Sequence, residues 1–299
     1  MTTLDAPPAA ADGPDQSSPD PVPPRITGVV DFHVHTAPSL VERHHHDGEI
    51  LPLAAAAGIE TVVLKAHEGS TAERAALLGE GAVGSVVLNS PVGGANPDAV
   101  EVAARLGARV VWMPTISSVA HQAASSSSEL EVHRGVTLRT VPVTSPSGAL
   151  LDEWFEVFDV VARHDLVLSS GHLTADETVV VFAAARARGV GRLVVTHPLL
   201  PFLGWRPDHC AALRELGAHL EVGVLADLLA GPPEDLVATT ELAATYPPEL
   251  LVFGSDLGHR SYPDIEPGVN GWVRRACPVL GERHLEALMT TTGRELLAP

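Results

Sequence analysis

After Pro24 the chain repeats one pattern, a short run of β-branched and apolar residues followed by a longer Ala/Leu/Glu/Arg segment that commonly ends near glycine. Eight strand-like runs occur in turn: ITGVVDFHV, IETVVLKA, GSVVLN, ARVVWM, DLVLSS, GRLVVTH, AHLEVG and ELLVFGS. Helix-like segments lie at 49–57, 71–79, 97–106, 152–163, 175–188, 207–216, 233–245 and 266–277, and a last one spans 283–297. Strands buried on both faces read as unbroken apolar runs, and strands that alternate with helices pair in parallel. Eight such units predict a single (β/α)8 TIM-type barrel over residues 25–299, since barrels of this kind run to about 250 residues. A doubly wound open sheet is the alternative. No Gly-rich phosphate loop follows the first run, which weakens a nucleotide-binding version of that sheet.

The first 24 residues differ in composition, with seven prolines, four aspartates and almost nothing large to bury. Such a segment does not offset its ordering entropy and reads as a disordered tail. It lacks the basic start and apolar stretch of a secretion signal. Two cysteines, Cys210 and Cys277, make no disulfide framework, so a reducing, cytoplasmic location is expected. The apolar stretch from Leu51 to Ile59, broken by Pro52 and Gly58, falls far short of the roughly 20 residues of a membrane span. Acidic residues outnumber basic ones 37 to 19, for a formal charge of −18. This balance argues against nucleic-acid and anionic-membrane partners. A small-molecule substrate is the expected partner, and self-association into a homo-oligomer is left open.

In a parallel barrel the chemistry collects where strands end. The first run ends Asp31-Phe32-His33-Val34-His35, and residues two apart in a strand share a face, so His33 and His35 project together. The fifth run leads to Gly171-His172, the sixth to Thr196-His197 and the eighth to Ser255-Asp256. One such pair is unremarkable at a strand end, but imidazoles and a carboxylate at four strand ends are hard to ascribe to packing. Neutral imidazole and carboxylate are donors for zinc and related divalent ions.

The order His-x-His, His, His, Asp on strands one, five, six and eight resembles the amidohydrolase superfamily of metal-dependent barrel hydrolases. The likeness spans roughly residues 26–297 and is close in GHLTADETVVVFAAARARGVGRLVVTHP. Within the superfamily the chain looks most like a bacterial amidohydrolase-like group with a lysine on the second strand. The resemblance implies metal ligands at His33, His35, His172 and His197, with Asp256 as ligand and general base. It implies one or two divalent ions, zinc foremost, and a water that hydrolyses an amide, cyclic amide or imide, ester or lactone. Deaminases and decarboxylases also occur in the superfamily.

Binuclear members bridge their metals with a carboxylated lysine or a glutamate on strand four, and here that strand reads Arg109-Val110-Val111-Trp112-Met113. The candidate stands on strand two instead. Lys65 is the only lysine, against eighteen arginines, and it shares a face with His67. Arginine cannot supply a neutral primary amine. Lys65 therefore reads as a carboxylated bridge, as an ammonium held by the metal site or binding substrate, or as a lysine that survived by drift.

Other positions point to substrate or to nothing in particular. Arg43, in the first loop, suits a substrate carboxylate, while His44, His45 and His46 beside it read more readily as solvated. Asn89, ahead of paired Gly93 and Gly94, orients substrate or its surroundings, or simply builds a turn. His67 and His259 are further substrate contacts, the latter equally a surface residue. Trp112 and Trp205 read as packing. The segment 114–148, with a four-serine run, His121 and His133, is long for a loop and reads as a lid or as disorder.

Two other readings compete. DFHVHTAPS, GIETVVLKAH and GSDLGH also resemble the polymerase-and-histidinol-phosphatase family of trinuclear phosphoesterases. That family has an Asp-His pair where this chain has Ala66-His67, and its closing motif is one residue shorter. A non-enzymatic, metal-binding barrel is the third reading, and retention of Asp256 beside four histidines speaks against it.

Overall fold

The computed structural model describes residues 26–127, 138–232 and 234–299. The tail at 1–24, His133 and the centre of the 114–148 segment lie outside the described residues. Among the described residues nine strands occur, with helices between all but β3 and β4: β1 (Val29–His35), β2 (Ile59–Lys65), β3 (Ala82–Val83), β4 (Ser85–Val87), β5 (Val110–Trp112), β6 (Val167–Ser169), β7 (Arg192–Val195), β8 (His219–Val222) and β9 (Leu251–Phe253). Every strand pair is parallel, in two sheets of order β1-β2-β3 and β4-β5-β6-β7-β8-β9. The parallel α/β expectation therefore holds, with one strand more than the eight runs.

The extra strand comes from the third run, which begins earlier than expected and is divided at Gly84. A Cβ at Gly84 would meet the Ala72 Cα at 2.6 Å, so no side chain fits where this strand passes the helix Ala72–Leu78. At the opposite edges the sheets also meet. Asp256 N donates to His33 O at 2.8 Å and His35 N donates to Leu257 O at 2.9 Å.

The apolar residues divide into two groups. One lies between strands and helices; the other gathers Phe32, Val63, Val87, Val110, Trp112, Val167, Val194 and Val252 on the inner side of the strands, with Leu296 from the helix Thr291–Leu297. Trp112 is thus a packing residue, as expected. Above this apolar floor the inward positions turn polar: His33 and His35 on β1, Lys65 on β2, Glu221 on β8. The β1–β2 register shifts between Asp31 and Val34. Irregularities of this kind re-aim side chains next to active sites.

Three helical expectations need correction. Of the expected helix over 233–245, the described residues are helical over Val237–Thr245, and a seven-residue helix Val224–Ala230 precedes it, bounded by Gly223 and Gly231. The closing helix is two, Glu282–Met289 and Thr291–Leu297, broken at Thr290. The long segment after β5 carries an unexpected helix, Val119–Ser127. Among the described residues no helix is long and apolar enough to cross a membrane.

Candidate metal centre

His33, His35 and Asp256 meet at one point. Asp256 Oδ1 lies 3.0 Å from His33 Nε2 and 3.1 Å from His35 Nε2, and the two Nε2 atoms are 3.3 Å apart. Ligands about 2.0–2.2 Å from one tetrahedral ion stand at comparable separations from each other, so the three donors fit a divalent ion between them. His197 Nε2 is 3.9 Å from Asp256 Oδ2. Its ring centroid is 5.0 Å from that of His172, which in turn lies 5.8 Å from His67. Lys65 Nζ donates to His33 Nε2 at 3.0 Å and sits 4.4 Å from the centre of the Trp112 ring. The strand-end residues expected at the metal therefore collect in one place. His172 stands furthest back, facing His197 rather than Asp256.

Backbone conformation contributes to this convergence. His197 (φ 26°) and Asp256 (φ 52°) are two of the four described non-glycine residues with positive φ, a conformation that costs energy and recurs at functional sites. Two residues after Asp256, Gly258 has φ 121°, and a Cβ there would collide with the His35 carbonyl oxygen. Glycine at 258 thus lets the Asp256 turn close onto the end of β1.

Burial fixes the protonation states. It drives His33 down to about 3 and His197 down to about 4, and it holds His35 and His172 well below their ordinary value. All four imidazoles are consequently neutral at pH 7, the form that ligates metal. Burial also lowers Lys65 to about 8 and raises Glu221 and Asp31 to about 7. A divalent cation among these groups would favour both ionised carboxylates.

Glu221 and Asp31 were not foreseen as site residues. Glu221, 1% exposed, holds His33 Nδ1 at 3.1 and 3.2 Å. A carboxylate on the far nitrogen leaves Nε2 unprotonated and fixes the ring, the usual support for a metal-bound histidine. Asp31 Oδ1 accepts from His33 N and from Ser255 N, tying β1 to the turn that carries Asp256. His121, from the helix Val119–Ser127, places its Nδ1 2.9 Å from His172 Nδ1. The one local sign of Glu221 is a charged residue within the strand His219–Val222, which reads equally as outward-facing. Nothing local marked His121.

A cavity of about 970 Å3 opens over the centre, and His35, Arg43, Lys65, His67, His172, His197, Asp256 and His259 are among its lining residues. His67 and His259 thus lie where substrate contacts were expected. Asn89 does not: it is fully buried, its Oδ1 accepting from Thr115 N and Ser117 N and its Nδ2 donating to His67 O and Thr115 Oγ1. With its amide fully engaged, Asn89 braces the loop that carries His67 instead of facing a substrate. His44 and His45 are half-buried rather than solvated, His44 Nε2 donating to Tyr262 O and His45 Nε2 pairing with Asp264 at 2.8 Å. Ile116, His121 and Ala124 bring the long segment to the cavity wall.

A sequence profile described as a family of unknown function (DUF6282) matches residues 28–221. No curated protein sequence matches the chain. Among solved structures, a Pseudomonas putida protein described as a 2-pyrone-4,6-dicarboxylic acid hydrolase is 18% identical with a TM-score of 0.59, the match covering 90% of this chain and 97% of that one. An amidohydrolase from Pseudomonas aeruginosa is 12% identical with the same TM-score, covering 91% and 97%. A 2,6-dihydroxybenzoate decarboxylase is 14% identical with a TM-score of 0.54, covering 92% and 100%. At these identities the likeness carries the fold, which is that of amidohydrolase-superfamily structures.

Proposed function

This chain belongs to DUF6282, a family of unknown function, and from that membership and its amidohydrolase fold we propose that it is a metal-dependent hydrolase built on a (β/α)8 barrel. Its proposed substrate is a small molecule with an amide, cyclic amide or imide, ester or lactone bond. The observation that carries this reading is the convergence of His33 Nε2, His35 Nε2 and Asp256 Oδ1 beneath a cavity. His33, His35, His172 and His197 would hold one or two ions, zinc suiting these nitrogen and oxygen donors. A bound divalent ion lowers the pKa of water from about 15.7 to near 7 and polarises a carbonyl. Asp256, facing the cavity, takes the proton of the attacking water and delivers it to the leaving group. Glu221 holds the His33 ring in place through Nδ1.

As a carbamate, Lys65 would supply a further anionic ligand if two ions are held. Its amine, lowered to about 8 by burial, adds carbon dioxide as the neutral form to give a carbamate and a released proton. A cytoplasmic setting accords with two unpaired cysteines.

Metal analysis of the purified protein tests the reading. At least one equivalent of divalent metal per chain is expected in the wild type, with less in His33→Ala. Metal-free wild-type protein that does not take up zinc would overturn it. Lys65→Ala is expected to lose metal and regain part of it with bicarbonate or a short carboxylic acid, and Lys65→Arg is not expected to rescue. Full metal content and activity in Lys65→Arg would remove the amine from the mechanism. With Asp256→Asn, turnover on an identified substrate should fall by several orders of magnitude, because an amide does not accept the proton.

A further inference from the structure

Arg43 is a cation of the cavity wall that no described carboxylate touches directly; Asp256 and Glu68 act on it only from beyond contact distance. Among the described residues no carboxylate lies within 4.0 Å of its guanidinium, although Arg74, from the helix Ala72–Leu78, pairs with Asp47 at 2.8 Å. The hydrogen bonds of the Arg43 side chain are two long ones, Nε to Ser39 Oγ and a terminal nitrogen to His35 Nδ1, each 3.4 Å. A guanidinium has five donors, and two bonds at the edge of hydrogen-bonding distance satisfy few of them. The side chain is nonetheless half-buried and lines the cavity. Burial there disfavours its charge, offset in part by the Asp256 and Glu68 carboxylates at longer range. The backbone holds it in place: residue 43 bridges to His259, and His44 N donates to Gly258 O at 2.8 Å.

The contact with His35 is also one that metal binding through His35 Nε2 would dissolve. A histidine that ligates through Nε2 carries its proton on Nδ1. That proton removes the acceptor Arg43 uses, which leaves the fork facing the cavity. Beside the histidines the lining has an apolar part, formed by Val41, Ile116, Leu200, Phe202, Leu225 and Leu229.

We propose that Arg43 is the carboxylate anchor of the active site, and that the substrate is an organic acid with an apolar body whose carboxylate lies close to the bond that reacts. The proximity follows from Arg43 touching His35, which itself meets Asp256 at 3.1 Å. A carboxylate on the fork of Arg43 is held bidentately, only a few bonds from the centre, while the apolar body extends along the Phe202 wall. This inference rests on the metal-dependent reading for the position of the chemistry, but its test does not need turnover.

The probes are 3-phenylpropanoate and its neutral amide, 3-phenylpropanamide, titrated into zinc-loaded wild-type protein, Arg43→Gln and Arg43→Lys by calorimetry. Zinc content is measured on each sample. The wild type is expected to bind the acid at least tenfold more tightly than the amide. Arg43→Gln is expected to lose most of that preference at unchanged zinc content. Arg43→Lys, which keeps the charge but not the fork, is expected to fall between them. A preference equal in all three proteins would overturn the anchor, because the metal alone would then be holding the carboxylate. No preference in the zinc-loaded wild type would overturn it as well. Wild-type protein that binds no zinc would instead count against the metal-dependent reading, so the two failures are separable.

Discussion

His33 is held at both ring nitrogens, by Glu221 on Nδ1 and by Lys65 on Nε2. Glu221→Gln keeps the shape of that grip but loses the charge that biases the Nδ1 proton. Its expected effect is a 10- to 100-fold loss of metal affinity in competition with a chelator, the usual size for such supporting groups. Equal affinity would show that the carboxylate does not set the ring. The six strand-end residues His33, His35, Lys65, His172, His197 and Asp256 were legible in the sequence because strand ends are where a parallel barrel exposes its inner face. Glu221 was not, because it lies within a strand, where a charged residue reads equally as outward-facing. His121 was hidden for a different reason: its helix is defined by contacts with His172 and Phe202, not by its own serine-rich sequence.

Among the elements, the helix Pro97–Arg105 is fastened to Trp154–Arg163 through Glu101. Its carboxylate is held down to about 2 by hydrogen bonds from Arg163, His164 and Arg105. A folded value below the unfolded one gives stability that is complete above pH 4.5 and fades as pH falls toward 2. Glu101→Gln should therefore lower the Tm at pH 7, with the difference narrowing below pH 4. A constant difference across that range would place the effect elsewhere. Leu296 is the other test of an element, since it closes the inner cluster from the helix Thr291–Leu297. Leu296→Ala is expected to cost about 2–5 kcal/mol in denaturant unfolding. Element type was well marked by the alternation of β-branched and Ala-rich stretches, whereas boundaries were not. The helix Val224–Ala230 is too short to show a periodicity, and the division of the third run at Gly84 depends on how closely Ala72 approaches.

For the molecule as a whole, a metal that binds only the folded chain adds to its stability, by about 4 kcal/mol when present at a thousandfold over Kd. For a domain of this size that corresponds to roughly 10 °C in Tm. Chelation should lower the wild-type Tm by about that amount and leave His33→Ala nearly unmoved; equal shifts in both would mean that the ion acts elsewhere. Completion of the centre also depends on residues far apart in the chain. Asp256 N reaches back to His33 O, and Leu257 O receives His35 N, so more than two hundred residues separate the partners of these bonds. During synthesis the histidine pair is made more than two hundred residues before Asp256. Contacts of such long range form only after the intervening segments have condensed. If the proposed centre holds a metal, its full affinity is acquired late, and fragments ending before residue 256 should bind the ion more weakly than the whole chain.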